Sequence, residues 1–294
     1  MPVRDDLGTR IKEFYETVPK TRLVRRMPVA IRLDGRAFHT FTRGFEKPFD
    51  ELLIDCMQQT MKYLCENIQG CVLGYQQSDE ITLILVDYKK LNSDAWFDYE
   101  VQKVCSISAS MATMAFNKFF NEKVRERNIK FYRDNYSDTN SIPTDTIGIT
   151  YSKAAQTGAM FDARCFNVPK EEVTNLIYWR QLDATRNSIQ MVGQANFSHK
   201  ELQNKSCNEI QDMLMLEKGI NWNDFPTYQK RGSCCVHKVV NVTTKDIYEE
   251  QEWGEPIAKT MVTTHYGWVI DDNIPIFKGE DRNYIESRIQ PEEE

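Results

Sequence analysis

The segment that most constrains the fold is residues 71–88, CVLGYQQSDEITLILVDY, in which two apolar runs flank the polar stretch QQSDE. Two apolar runs joined by a short polar turn predict a β-hairpin. Upstream, MPVAIRLDG predicts a buried strand that ends at the pair Asp34 and Gly35. If this strand lies beside the hairpin, Asp34 converges with Asp79 and Glu80 at one end of a sheet.

Helical periodicity accounts for much of the remaining chain. Apolar residues at helical spacing predict one helix from about Asp50 to Asn67 and a longer one from about Phe97 to Arg127. The polar connector RDNYSDTNSIPTDT then predicts a long loop or a boundary. The further predicted elements are the strand MFDARCFNV, a helix from Lys170 to about Gln194, another helix toward Leu216, and strands in CCVHKVVNVTT and THYGWVI.

The composition indicates a globular protein of ordinary type, with 41% hydrophobic and 27% charged residues. Its apolar runs fall far short of the roughly 18 to 20 residues that a membrane span requires. The charged beginning MPVRDDLGTRIKEF lacks the apolar block of a secretory signal. We therefore expect a cytosolic protein without membrane contact.

The eight cysteines form no CxxC pair, so we expect reduced thiols, mostly in the core. Strand alternation is expected to place one of the adjacent Cys234 and Cys235 inside and the other outside.

The net charge of −6 argues against a protein that coats nucleic acid nonspecifically. Local basic clusters can still supply phosphate contacts, although a cluster of this kind is more often a solvated face. The clusters are Lys20, Arg22, Arg25 and Arg26, then Lys123, Arg125, Arg127, Lys130 and Arg133, and finally Lys230 and Arg231.

The three acids at the predicted sheet end carry the chemistry. Carboxylates a few ångströms apart repel strongly unless cations lie among them. Mg²⁺ prefers one or two carboxylates with water and phosphate oxygens, and two such ions can stabilise both the attacking and the leaving oxygen of a phosphoryl transfer. Asp-Gly and Ser-Asp are also ordinary turn pairs, so turn formation explains either motif alone.

Together, the acids and the order strand, helix, hairpin, helix match the layout of polymerase palm and nucleotidyl cyclase domains. We therefore predict an α+β fold with a polymerase-palm-like (ferredoxin-like) antiparallel sheet, helices on one face, and a C-terminal α/β extension.

Residues 32–50, RLDGRAFHTFTRGFEKPFD, followed by GYQQSDE, resemble the tRNA-His guanylyltransferase family. The motifs DGRxFH, KP and QSDE recur in order, and FDAR, WRQ and NDFPTYQKRG resemble later family segments. The resemblance covers the chain from Val29 to about Gly232. It implies a palm-like catalytic core in residues 1–135. Residues 136–294 then supply the remainder of the sheet and a C-terminal region for tRNA binding and oligomerisation, the whole forming one compact unit.

The resemblance also implies an activity: Mg²⁺-dependent addition of nucleotides to the 5′ end of tRNA, with growth from 3′ to 5′. It implies GTP, ATP and other nucleoside triphosphates as substrates, and a homotetramer. Asp34, the Gly35 carbonyl and Asp79 resemble the ligands of two Mg²⁺ ions, and Glu80 completes the catalytic acids. The nucleotide cradle comprises Asp34, Gly35, Arg36, Ala37, Phe38, His39, Lys47, Ser78 and Asp79. The expected tRNA contacts are Arg186, Asn187, Lys205, Lys230 and Arg231.

Two segments depart from the family pattern. Where dedicated tRNA-His enzymes carry HINNLYN, residues 185–191 read TRNSIQM, and an expected KNE triplet reads CNE at residues 207–209. These departures favour the guanylyltransferase-like branch, which repairs 5′-truncated tRNAs by template-dependent 3′-to-5′ addition. The alternative is a tRNA-His guanylyltransferase that adds the extra 5′ guanosine.

Two readings from other classes remain open. One is a nucleotide cyclase or small-molecule nucleotidyltransferase on the same fold, since fold does not determine substrate. The other is a non-catalytic RNA-binding palm module. Retention of both Asp34 and Asp79 argues against that module, because a binding protein has no need to sustain their repulsion.

Overall fold

The computed structural model describes residues 6–135, 144–249 and 257–291. The strands in these ranges are β1 (Val29–Gly35), β2 (Cys71–Gln77), β3 (Glu80–Leu85), β4 (Phe161–Asn167), β5 (Ser233–Glu249) and β6 (Ile257–Asp271). They form one six-stranded antiparallel sheet in the order β4-β1-β3-β2-β5-β6. The predicted hairpin is therefore confirmed, and so is the position of the Asp34 strand beside it.

The α-helices in the described residues are α1 (Asp6–Ile11), α2 (Phe38–Phe41), α3 (Glu51–Asn67), α4 (Val101–Asn135), α5 (Thr146–Thr157), α6 (Lys170–Asn196), α7 (His199–Leu202), α8 (Cys207–Lys218), α9 (Thr227–Arg231) and α10 (Asn283–Glu286). No helix within these residues is both long and apolar enough to cross a membrane.

Helix α3 packs on one face of the sheet because its apolar residues recur on one side. Met57, Met61 and Leu64 are fully buried at the i, i+4, i+7 spacing of such a stripe. The side chain of Asp50 accepts a hydrogen bond from the backbone N–H of Leu53 at 2.9 Å and caps the helix. The helix predicted from about Asp50 to Asn67 is thus confirmed.

Helix α4 covers the same face and carries an aromatic cluster. Phe116 is fully buried, and its ring centroid lies 5.5 Å from that of Phe38 and 5.5 Å from that of Phe161. The rings in contact are Phe38, Phe41, Phe45, Phe116, Phe120, Tyr151 and Phe161. Because Phe38 follows β1 directly, this cluster fixes the chain at the end of that strand.

The C-terminal extension covers the other face of the sheet. Val173 and Ile177 of α6 pack with Phe277 and Ile285 in a second buried cluster. This coverage explains a wrong prediction. Neighbouring strand residues project to opposite faces, and Cys234 and Cys235 belong to different core clusters, yet both are fully buried. All eight cysteines are free, as predicted.

Helix α5 was not predicted from the sequence. The Asp145 side chain accepts a hydrogen bond from the Gly148 N–H at 2.9 Å and caps it, and Tyr151 and Ala154 are its buried apolar side chains. Its β-branched residues and the polar connector before it hide the helical periodicity. Residues 136–143 of that connector lie outside the described residues. The predicted α+β class with an antiparallel sheet is confirmed, and the division at residue 135 stays a prediction.

Truncating the aromatic cluster is expected to cost much of the stability. Phe116→Ala should lower the free energy of unfolding by about 3–5 kcal/mol, because it leaves a cavity among packed rings. The measurement is urea unfolding followed by circular dichroism. Met114→Ala is the matched control on the same helix, since Met114 is 55% exposed. Equal losses in the two variants would contradict the assigned packing.

Candidate active site

The end of β1 and the turn of the β2–β3 hairpin meet at one end of the central strands. Asp34 is the register partner of Glu80, and the Gly35 N–H donates a hydrogen bond to the Asp79 carbonyl at 3.1 Å. The pKa of Asp79 is raised, first by burial of the carboxyl group and also by the charges of Asp34 and Glu80. The three acids therefore converge, as the sequence predicts.

A cavity of about 670 Å³ opens beside Asp34 and Asp79. Its volume is in the range of small-molecule sites. The predicted cradle residues that line it are Asp34, Gly35, Ala37, Phe38, His39, Lys47, Ser78 and Asp79. Arg36 is not among the lining residues; its side chain is exposed, and its N–H donates to the Met160 carbonyl at 2.8 Å.

The backbone of the cradle is held in uncommon conformations. Ala37 has a φ of 53° and Ser78 a φ of 50°, in the left-handed region that costs energy for residues other than glycine. Gly35 also meets a steric requirement. A Cβ at this position would overlap the ring of Phe38, so the glycine lets that ring fold back over the strand end.

Asp50 anchors the loop that carries Lys47, a role that sequence reasoning missed. Its buried carboxylate accepts hydrogen bonds from the backbone N–H groups of Glu46, at 3.0 Å, and Leu53, at 2.9 Å. The Tyr151 hydroxyl of α5 donates a third bond at 2.6 Å. Burial and this carboxylate raise the pKa of Tyr151. A helix-capping aspartate was readable from the sequence, but its distant partner was not.

Glu80 is placed differently from the other two acids. Its carboxylate is buried in ion pairs with Arg32 and Arg180, each at 2.7 Å, and it is not part of the cavity lining. The sequence prediction of a catalytic Glu80 receives no support from this geometry. Arg180, which lies in the WRQ segment, was not identified from sequence.

The predicted tRNA contacts on α6, and at Lys205 just before α8, form pairs with neighbouring side chains. Arg186 forms an ion pair with Asp183, and the Asn187 amide donates to the same carboxylate at 3.4 Å. Lys205 pairs with Glu209 at 3.4 Å. These residues lie at or near the surface and remain candidate phosphate contacts.

The structure gives Lys230 a packing role in place of the predicted tRNA contact. Its side chain is buried, and its ammonium donates to the Asn223 carbonyl and lies 5.6 Å from the Trp222 ring centroid. Burial, and then the charge of Arg231, lowers the pKa of Lys230. Arg231 itself is half-buried, and its carbonyl accepts a 2.6 Å hydrogen bond from the Tyr75 hydroxyl.

Members of the other two basic clusters also pair with acids. Arg25 contacts Asp87, Asp94 and Asp98. In the second cluster, Lys123 pairs with Asp55 at 2.7 Å, and Arg127 pairs with Asp145. These pairs agree with the simpler interpretation of the clusters as ion-paired, solvated faces.

The residues at the ends of the central strands are suited to bind Mg²⁺. Asp34 and Asp79 offer two carboxylates beside a cavity large enough for a nucleotide. Within the part of the chain that the structure describes, no group of three or more His, Cys, Asp or Glu residues forms a ready cation site. An ion here would complete its coordination with water and phosphate oxygens, which is the arrangement that Mg²⁺ favours.

Comparisons with known proteins show which family this chain resembles. A family model described as tRNAHis guanylyltransferase matches residues 8–169. The tRNA(His) guanylyltransferase of Saccharomyces cerevisiae is 25% identical over 224 residues, which cover 71% of this chain and 82% of that protein.

Two solved structures of a bacterial tRNA(His) guanylyltransferase-like protein match nearly the whole chain. The complex with ATP has a TM-score of 0.73 and 38% identity, and covers 97% of this chain and 99% of that one. The complex with GTP has a TM-score of 0.66 and 33% identity, and covers 96% of this chain and 99% of that one. These matches support the predicted palm-like fold.

Asp79→Asn is expected to raise the free energy of unfolding near neutral pH, because it removes a partly buried charge beside Asp34. Since the pKa of Asp79 is raised in the folded protein, its ionisation opposes folding. This penalty is absent below the unfolded pKa, about 3.9, and complete above the folded pKa. The gain should therefore shrink as the pH falls toward 4.

The measurement is urea unfolding from pH 3.5 to 7.5 without divalent cations. The control is Asp212→Asn, since Asp212 is exposed on α8. A gain for Asp79→Asn that is the same at pH 4 and pH 7 would contradict the assigned charge crowding.

Proposed function

Because the chain belongs to the tRNAHis guanylyltransferase family, we propose that it transfers nucleotides from nucleoside triphosphates to the 5′ end of tRNA with the aid of Mg²⁺. The observation that carries the proposal is the convergence of Asp34 and Asp79 at the edge of the 670 Å³ cavity. The ATP and GTP complexes of the bacterial guanylyltransferase-like protein support nucleoside triphosphates as the ligands of this cavity.

In this proposal the residues that line the cavity have separate roles in binding the cation and the triphosphate. Asp34 and Asp79, with the Gly35 carbonyl, hold Mg²⁺, which when bound neutralises phosphate charge and assists attack at phosphorus. Lys47 lines the cavity and supplies a charge-assisted contact to the triphosphate. The Ser78 hydroxyl donates to the Asp79 carboxylate at 3.1 Å and orients it.

Two reactions are candidates for this site. The name of the yeast relative supports guanylate addition to tRNA-His, which we place first. The second candidate is template-dependent 3′-to-5′ repair of truncated tRNAs. It is favoured by residues 185–191 of α6, which offer no aromatic side chain to stack on an unpaired base. In this segment Ser188 is buried and accepts a 3.0 Å hydrogen bond from the Trp222 indole, so it too is unavailable to a base.

The proposal has two further parts. A homotetramer follows from the family resemblance, and light scattering after gel filtration tests it. A cytosolic location is proposed from the globular composition alone, and cell fractionation tests it.

Asp34→Ala and Asp79→Ala are expected to abolish nucleotide addition, because each removes one of the two carboxylates that hold the cation. The assay incubates each variant with MgCl₂, labelled nucleoside triphosphates and tRNA, and maps the label on the RNA. Asp212→Ala is the control and should keep wild-type activity. Near wild-type turnover in either site variant at saturating Mg²⁺ would contradict the assignment.

Lys47→Ala should raise the KM for nucleoside triphosphate about tenfold, the equivalent of ~1.4 kcal/mol, while tRNA affinity stays unchanged. The lost contact is to phosphate in the cavity. Steady-state kinetics and a gel shift at fixed salt measure the two affinities. Lys118→Ala is the control, since Lys118 is an exposed lysine of α4. Equal weakening of tRNA binding would indicate that Lys47 contacts the RNA and not the triphosphate.

A matrix of substrates separates the two candidate reactions. Full-length and 5′-truncated tRNAs are prepared with several anticodons. Each tRNA is made with every possible base opposite the position at which the next nucleotide would be added. Guanosine incorporation that depends on the histidine anticodon and ignores the template base would establish guanylate addition. Incorporation that follows the template base in every tRNA would establish repair, because pairing then supplies the sequence information.

A further inference from the structure

Glu80 is held by two arginines, one at each carboxylate oxygen. Arg32 of β1 donates to one carboxylate oxygen through Nε at 2.9 Å and Nη2 at 2.7 Å. Arg180 of α6 donates to the other oxygen at 2.7 Å. The side chains of Glu80 and Arg180 are only 10% and 7% exposed. Both carboxylate oxygens of Glu80 are therefore engaged inside the protein.

Further contacts hold this group in place. The Nη2 atom of Arg180 also donates to Asp183 at 2.8 Å. The Trp179 ring centroid lies 4.4 Å from the guanidinium carbon of Arg180 and 5.4 Å from that of Arg32, so one indole contacts both cations. Arg32, Glu80 and Arg180 thus join β1, β3 and α6 at a single carboxylate.

The position of this carboxylate connects it to the catalytic acids. Glu80 follows Asp79 directly and is the register partner of Asp34, so its side chain lies on the same face of the sheet as that of Asp34. A free Glu80 would add a third negative charge beside the pair. The two arginines neutralise that charge and prevent Glu80 from turning toward a cation in the cavity.

We propose that Glu80 is a positioning residue and not a ligand of the catalytic cation, and that Arg180 acts through it. In this role Arg32 and Arg180 neutralise Glu80 and hold its carboxylate away from the cavity, so that Asp79 and Asp34 alone face a divalent cation. The inference rests on the proposed function for its account of catalysis. The alternative, in which Glu80 is a third ligand, predicts different behaviour of paired substitutions.

The test is a double-mutant cycle of Glu80→Gln, Arg180→Met and the combined variant. Calorimetric titration with MgCl₂ alone measures cation affinity, and kcat is measured across Mg²⁺ concentrations. Glu80→Gln removes one negative charge and leaves one excess positive charge near the site, so its Mg²⁺ affinity should fall about 10- to 100-fold. Removing Arg180 as well restores the charge balance, and the combined variant should regain most of the lost affinity and kcat.

Arg180→Met alone should lower kcat about tenfold without weakening Mg²⁺ binding, because it frees a carboxylate beside the pair. Arg180→Lys keeps the charge with a single point donor and should fall between Arg180→Met and wild type. Arg22→Met is the control, an exposed arginine paired with Asp98 at 3.1 Å, and should bind Mg²⁺ like wild type. Urea unfolding verifies that each variant is folded before its affinity is compared.

The inference is overturned if the combined variant remains as inactive and as weak in Mg²⁺ binding as Glu80→Gln, since a lost ligand cannot be restored by removing an arginine. Rescue in the combined variant supports it. The Mg²⁺ titrations contain no tRNA, so they decide the role of Glu80 even if no nucleotide addition to tRNA is found. That last result would refute the proposed function alone.

Discussion

The repulsion between Asp34 and Asp79 is the constraint on which the rest of the site depends. Two carboxylates stay close only if the backbone that carries them cannot move apart. The 3.1 Å hydrogen bond from Gly35 to the Asp79 carbonyl supplies one restraint, and the register of β1 with β3 supplies another. Core clusters on both faces of the sheet make those strands rigid. The stability of the core is thus used to hold an unfavourable arrangement of charge in place.

The apolar core and the cavity beside Asp34 share side chains. Phe38 lines the cavity and also packs in the aromatic cluster of α4, while Asp50 lines it and caps α3. A change deep in the core will therefore reach the cavity through Phe38 without passing through a flexible loop. Gly35 shows how close this fit is, because one additional carbon would displace the Phe38 ring.

Local sequence patterns predicted the secondary structure around the site, but they did not predict contacts between residues far apart in the sequence. Strand β1, the hairpin and the acids Asp34 and Asp79 were predictable because alternation and turn chemistry are local properties. The environment of Glu80 depends on Arg180, 100 residues away, and the burial of Cys234 depends on elements that cover the second face. Sequence periodicity carries no information about such distant contacts. A basic residue such as Lys230 has the same sequence signature whether it binds a phosphate or packs on an indole.

Because a ribosome makes the chain from its N-terminal end, the residues that support the site are made after the acids that they hold in place. Tyr151, which holds Asp50, and Arg180, which holds Glu80, each lie about 100 residues after the acid that they hold, so they are made well after Asp34 and Asp79. A nascent chain therefore displays its carboxylates long before their supports exist. Until α5 and α6 have emerged, the growing polypeptide contains the acidic residues of the site but not the contacts that fix their positions.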